Sequence, residues 1–492
     1  MQEIKYGERP GRLRWWGFAC AIVALWAACV VAAPAQTFVN MQSFTGANGA
    51  GPLAALVQAN DGTLHGTTEF GGANGDGAAF KISPDNVFTF LYSFCSQSGC
   101  ADGINPEAPL AVDTNGYLYG TTTTDGAKGA YGTIFQISPA NKVSTLISFN
   151  GTNGQQPEGA LVQATNGDLY GTTAFGGSQN AGTLFKTSVG GVLKTLYSFC
   201  SQSGCTDGQV PYGGLVQGSD GNLYGTAELG GVYSDGTAFK ITPAGVLKTL
   251  YSFCSKAGCT DGSNPWGGLI QATDGNFYGT TLNGGANSAG TIFRLTPTGK
   301  LTTIYTFCSQ TNCADGANPY AGVVQANDGN FYGTTPAGGA NNAGTIFKIT
   351  KAGVLTTLYN FCSQSGCADG SGPFAGLVQD TNGSFYGVTS SGGTGTACTG
   401  GCGTIFRLVV GGLSAFVRPL TTSGKVGSTV LLQGSKLTGS TSVTFNGTPA
   451  TFTVTSETLI TTAVPVGATS GTIQVVTPRG TVSSNVPFTV VP

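Results

Sequence analysis

One position, twelve residues before a recurring Tyr-Gly-Thr motif and directly after a proline each time, reads Leu53, Glu107, Glu158, Tyr212, Trp266, Tyr320 and Phe374. Four consecutive copies thus offer an aromatic ring, and two adjacent copies a carboxylate. Aromatic rings combine a large contact area with a low entropy cost, which suits stacking on an extended ligand such as a glycan. Glu107 and Glu158 suit accepting hydrogen bonds from its hydroxyls, and Glu69, at the end of a strand in the first copy, joins the acidic side. The competing reading is that these side chains fill gaps between neighbouring units. Two carboxylates are also the residue types of a glycosidase, which holds them about 5–10 Å apart. The single histidine, His65, stands where other copies carry the motif tyrosine and reads as a drifted scaffold position, which argues against a triad or a His-ligated metal. The expectation is a binding protein that is not an enzyme and uses no cofactor and no metal. Asp102, Asp207, Asp261, Asp315 and Asp369 are calcium candidates by residue type, but they lack the dense Asp alternation of a calcium loop.

What positions these residues is a repeat. Tyr119, Tyr170, Tyr224, Tyr278, Tyr332 and Tyr386 mark six copies and His65 a seventh, at steps of 54, 51, 54, 54, 54 and 54 residues. A fixed period of this length signals a repeat architecture. Each copy holds four short apolar runs, for example 268–271, 276–281, 291–296 and 301–307. Asp-Gly or Asn-Gly, as at Asp61-Gly62 and Asn115-Gly116, separates runs one and two and predicts a type I′ hairpin. Glycine or asparagine joins runs three and four in the same way. Gln58, Gln163, Gln217, Gln271, Gln325 and Gln379, ending most first runs, are expected to hydrogen-bond around the ring. Seven four-stranded antiparallel units predict an all-β, seven-bladed β-propeller over residues 36–412. Segment 38–44 reads as a lone fourth run and the last copy lacks one, so the N-terminal strand is expected to close the ring. An open solenoid would not need such complementary ends.

The phrases Gly268-Leu-Ile-Gln-Ala-Thr-Asp-Gly-Asn-Phe-Tyr-Gly-Thr-Thr281 and Gly290-Thr-Ile-Phe-Arg-Leu-Thr-Pro297 resemble the GloVer tandem repeat of exported bacterial proteins and, more loosely, the propeller repeats of sensor ectodomains. The first resemblance spans about residues 38–410; it implies surface or extracellular placement and brings no established activity. Residues 413–492 shift to Thr, Ser and Val with no Cys. Their short alternating runs predict a small β-sandwich. The segments 427–434, 443–452 and 486–490 resemble an IPT/TIG domain, an Ig-like fold used as a spacer or adhesion unit.

Composition narrows the partners. With 9% charged residues and a formal net charge of −2, the chain has no basic surface for nucleic acid. Lys5, Arg9, Arg12 and Arg14 precede an apolar stretch and Ala33-Pro34-Ala35, which reads as a secretory signal peptide over residues 1–35. No membrane span is expected after its removal; the localisation expected is extracellular, cell-surface or periplasmic, with a polysaccharide or surface protein as partner. Cys20 and Cys29 fall in that leader. The other twelve form close couples: Cys95 with Cys100, Cys200 with Cys205, Cys254 with Cys259, Cys308 with Cys313, Cys362 with Cys367, and Cys398 with Cys402. In an exported chain they predict six disulfides stapling small loops.

Overall fold

The computed structural model describes residues 36–129 and 131–491; the signal peptide expected over residues 1–35 lies outside the described residues. Seven four-stranded antiparallel sheets follow one another along the chain. In the fifth, Ile270–Gln271 pairs with Phe277–Thr281, which pairs with Thr291–Leu295, which pairs with Leu301–Thr306. The seventh is composite: Val378–Gln379, Phe385–Thr389 and Thr404–Val410 come from one end of the repeat region, and Gln36–Ser43 from the other. Gln36–Ser43 runs antiparallel to Thr404–Val410, from Gln36 opposite Val410 to Ser43 opposite Thr404. The fold is all-β and propeller-like.

Each residue of Tyr-Gly-Thr has its own reason. The second strands are buried along their whole length because a neighbouring sheet covers each face. Tyr224 fills the space toward the next sheet, stacked 3.9 Å from Phe277. Gly225 is required by close approach: a Cβ there would lie 2.8 Å from Leu215 Cδ2 and from Phe239 Cζ. Thr226 Oγ1 donates to Gly267 O of the next sheet at 3.2 Å.

Apolar clusters fill the joints between consecutive sheets. A fully buried phenylalanine after each fourth strand meets one in the next sheet edge-on, as in Phe199–Phe239 at 5.2 Å and Phe253–Phe293 at 5.1 Å. Phe44–Phe80, at 5.3 Å, is the same pair between the seventh sheet and the first. Glutamines link the first strands. Gln217 Oε1 accepts from Thr165 N–H, Gln271 from Ser219, Gln325 from Thr273 and Gln379 from Asn327. Gln58 accepts from Thr381 N–H of the last sheet at 3.3 Å.

The hairpins differ from expectation in turn type. Gly62 N–H donates to Ala59 O and Ala59 N–H to Thr63 O; Gly62 has φ +83° while Asp61 stays at negative φ. This is a three-residue loop, a type I turn closed by a left-handed glycine. The aspartate does not need positive φ because its carboxylate caps the turn, Oδ1 accepting from Thr63 N–H at 2.9 Å. The antiparallel pairing follows either way.

All six cysteine couples are bonded as their spacing predicts. Cys95 is joined to Cys100, Cys200 to Cys205, Cys254 to Cys259, Cys308 to Cys313, Cys362 to Cys367, and Cys398 to Cys402. In the first five, a single short turn such as Ser203–Cys205 or Thr311–Cys313 brings the second cysteine back to the first. Cys100, Cys205, Cys259, Cys313 and Cys367 all take positive φ, between 50° and 53°. The sixth couple differs in place: Cys398 and Cys402 staple the loop between the second and third strands of the last sheet, and Cys402 is fully buried beside Ile405 and Phe44. So many disulfides belong to a chain that matures in an oxidising environment. Among the described residues no helix is long and apolar enough to cross a membrane.

The five aspartates beside the disulfides point inward, 0–2% exposed. Asp261 Oδ2 accepts from Tyr251 OH, Ser255 N–H and Ser255 Oγ, and Oδ1 from Lys256 N–H. Burial raises the pKa of Asp261, but these donors outweigh it and hold the carboxyl below its ordinary value. The calcium candidates are therefore loop clasps whose lone pairs the protein already uses.

The C-terminal residues form two four-stranded sheets around their own core, including Val430, Phe445, Ile460 and Val475, plus a parallel pair joining Ser423–Lys425 to Thr489–Val491. This module is seated on the hairpin-turn ends of the first strands. Arg418 Nη2 donates to Gln379 O at 2.6 Å, Phe416 N–H to Thr381 O, and Asn327 Nδ2 to Ser414 O at 2.8 Å. Gln433 Nε2 also donates to Ala59 O.

Candidate site at the ends of the first strands

The position of interest sits at the end of each first strand opposite the hairpin turn. A left-handed residue followed by proline delivers it: Asn105, Gln156, Asn264 and Asn318 have φ between 54° and 55°. Asn105 Nδ2 and Asn318 Nδ2 then donate to Glu69 O and Leu282 O of the preceding repeat. Val210 occupies this place in the fourth copy at φ +58°, a conformation that crowds a β-branched side chain. Val210→Asn should relieve the strain and add a bond to Ala174 O, raising stability by about 1 kcal/mol. Urea denaturation of both proteins checks this; an unchanged or lower midpoint would count against it.

All seven positions reach one cavity of about 300 Å³. Leu53, Glu107, Glu158, Tyr212, Trp266, Tyr320 and Phe374 line it together with small residues of the first strands, and no Lys or Arg does. The four rings touch in sequence. Tyr212 stacks on Trp266 at 3.9 Å and 12°, Trp266 tilts on Tyr320 at 4.7 Å, and Tyr320 meets Phe374 edge-on at 5.3 Å. Part of each ring's surface is therefore taken by its neighbour, and what the cavity receives is a continuous aromatic arc rather than four separate platforms.

Carboxylates cluster across from the arc. Burial, then the charges of Glu107, Glu228 and Glu69, push Glu158 up to about 8. Burial, then Glu107, push Glu69 up to about 7. Burial raises Glu107 too, against a 3.2 Å hydrogen bond from Thr123 Oγ1, and it raises Glu228. The phenols of Tyr212 and Tyr320 are pushed up by burial and then by Glu158. Glu228 was not among the sequence candidates. Its signal was available: it lies four residues after Tyr224, as Glu69 lies four after His65.

No curated protein matches the chain. Among solved structures, a fungal alcohol oxidase of the AA5 family in complex with copper is 11% identical, with TM-score 0.54, covering 94% of this chain and all of its own. A Kuenenia stuttgartiensis hydrazine synthase is 14% identical, with TM-score 0.47, covering 69% of this chain and 93% of its own. The PQQ-bound aldose sugar dehydrogenase of Streptomyces coelicolor is 13% identical, with TM-score 0.39, covering 77% and 100%. At these identities the oxidase likeness speaks for the fold alone. The Gloeobacter/Verrucomicrobia repeat matches over residues 30–218, 97–260 and 210–454, which together take in most of the sequence. The chain belongs to the Gloeobacter/Verrucomicrobia repeat family.

Proposed function

We propose that this is an exported or cell-surface binding protein, without catalytic activity, that recognises a glycan or partner protein at the cavity of aromatic and acidic side chains. In this reading the seven sheets are seven blades of a propeller closed by the N-terminal strand, residues 1–35 are a signal peptide, and the C-terminal module is an Ig-like domain of the IPT/TIG kind. The pairing of Gln36–Ser43 with Thr404–Val410 supports closure. Instead of extending as a stalk, the module backs the turn ends of the blades.

The observation that carries the proposal is convergence. Residues spread from 53 to 374 meet at one concavity, where neighbouring repeats differ in side chain while sharing a backbone. Carboxylates and phenols there accept and donate hydrogen bonds, and the arc supplies apolar contact, the combination that polyhydroxylated ligands need. One observation favours a second reading. Burial and neighbouring carboxylates push Glu158 up to about 8, which suits the general acid of glycoside hydrolysis, with Glu107, itself raised by burial, as the second carboxyl.

Trp266 is the one tryptophan outside residues 1–35, so its emission reports on the cavity. Titration with a panel of neutral and acidic polysaccharides should give a saturable shift in that emission, and Trp266→Ala should lose the same binding by calorimetry. Release of shortened sugars would favour the hydrolytic reading. Silence across the panel and across surface extracts would sink the binding reading and leave a structural scaffold.

A further inference from the structure

The first repeat breaks a pattern that the others keep. Elsewhere the motif tyrosine sends its hydroxyl to the hairpin turn, as Tyr224 to Asp220 and Tyr278 to Asp274 at 2.8 Å and Tyr332 to Asp328 at 2.9 Å. In two copies a lysine from the third strand pairs with the same turn carboxylate, Lys348–Asp328 at 2.9 Å and Lys240–Asp220 at 3.9 Å, and in the third copy Lys186 reaches Asp168 of the turn at 2.8 Å. In the first repeat the tyrosine is His65, which is shorter, 5% exposed, and has no hydrogen-bond partner at Nδ1. Lys81 points elsewhere, its Nζ 3.4 Å from Asn141 Oδ1 in the second sheet. What remains is a cavity of about 310 Å³ between the first two sheets, bounded also by Ser456 and Leu459 of the C-terminal module.

Asp61, Asn60, His65 and Lys81 all line it. Asn60 is held by its Nδ2, which donates to Asp113 O at 3.1 Å, and its Oδ1 is a second buried atom without a partner. The cavity is therefore bordered by a carboxylate, Asp61, and a cation, Lys81, that are not spent on each other, with Asn60 Oδ1 and His65 Nδ1 buried and unpartnered in its wall. A ligand of one sign would pair with one of these charged groups and leave the other without a counter-charge in the same cavity. We propose that this cavity binds a small zwitterion of the free amino acid type, its ammonium held by Asp61 and Asn60 and its carboxylate by Lys81, with His65 Nδ1 supplying a further hydrogen bond. Burial lowers His65 to about 4, so at neutral pH the imidazole is a hydrogen-bonding wall and adds no charge. The site lies at the turn ends of the strands and stands independently of the aromatic cavity.

His65 is the only imidazole in the chain, so its ring signals in isotope-labelled protein are unambiguous. Each proteinogenic amino acid is titrated, with propylamine and propionate as single-charge controls. At least one amino acid should shift the His65 signals saturably, the controls binding at least roughly ten-fold more weakly. Lys81→Met should weaken that amino acid by a similar factor. His65→Tyr restores the residue of the other six repeats and fills the space, so it should fold and lose binding by calorimetry. Silence of His65 toward every amino acid, equal binding of a single-charge control, or retained binding in His65→Tyr would each overturn the proposal.

Discussion

Raising the pH from about 6.5 to about 8 is expected to lower the stability of this protein, by about 2 kcal/mol in urea denaturation. Glu158, held up at about 8, and Glu69, at about 7, keep protons in the folded state that the unfolded chain, with carboxyls near 4.5, has already lost. The native state then binds more protons than the unfolded one, and stability falls as pH rises until the folded carboxyls ionise. His65 works in the opposite direction, but only between about 4 and its ordinary 6.5, where burial keeps it neutral while the unfolded imidazole is charged. Above 6.5 the carboxylates act without that opposition. At the acid end, Asp220, Asp261, Asp274, Asp328 and Asp369 are held below 3.8: burial raises them, and hydrogen bonds overcome it. The stabilisation they give is present above 3.8 and is lost as pH falls below it. The protein should therefore be most stable in mildly acidic solution. Glu158→Gln, which keeps the shape and removes the charge, should flatten the decline between 6.5 and 8. A wild-type midpoint that stays level or rises over that interval, or a variant with the same slope, would contradict the placement of the carboxylates.

Much of this arrangement was legible because the repeat is phase-locked. A residue twelve places before the motif tyrosine must occupy equivalent ground in every copy, so Glu107, Glu158, Tyr212, Trp266, Tyr320 and Phe374 could be placed together without coordinates. The cysteine couples, five or four residues apart, had no nearer partners. What escaped was set by contacts between copies or by local geometry that composition does not encode. The stacking of Tyr212 on Trp266 depends on how one sheet turns against the next. The inward aim of Asp261 depends on a tyrosine ten residues earlier and on two backbone amides. Asp-Gly fits a two-residue turn chemically, but the bond that Asp61 Oδ1 accepts from Thr63 N–H favours the three-residue form. The docking of the module joins Arg418 to Gln379, Phe416 to Thr381 and Gln433 to Ala59, separations of 39, 35 and 374 residues that no common spacing marks.

Phe44→Ala should cost about 3–4 kcal/mol, as much as the same change at an internal joint such as Phe199→Ala. Both side chains are 0% exposed, and each meets a phenylalanine of the following sheet at nearly the same distance, 5.3 Å for Phe44–Phe80 and 5.2 Å for Phe199–Phe239. The comparison is informative because the two joints differ in chain connectivity. Phe199 lies between sheets consecutive in sequence, which the backbone keeps together. Phe44 follows the strand that completes the seventh sheet, and it packs on Phe80 and Phe88 of the first. In a closed ring every joint has a sheet on both sides, so truncation leaves a cavity of the same kind at either place and the costs match. In an open array Phe44 would sit at a free end, where the neighbouring chain relaxes around a smaller side chain, and truncation would cost under about 1 kcal/mol. Phe38, stacked on Tyr359 of the sixth sheet at 3.8 Å, fastens the same strand from the other side, so Phe38→Ala should destabilise the protein as well. Matched losses at Phe44 and Phe199 in urea denaturation would support closure. A large loss at Phe199 with almost none at Phe44 would open the ring, and the aromatic arc and the glutamates would no longer share one rim.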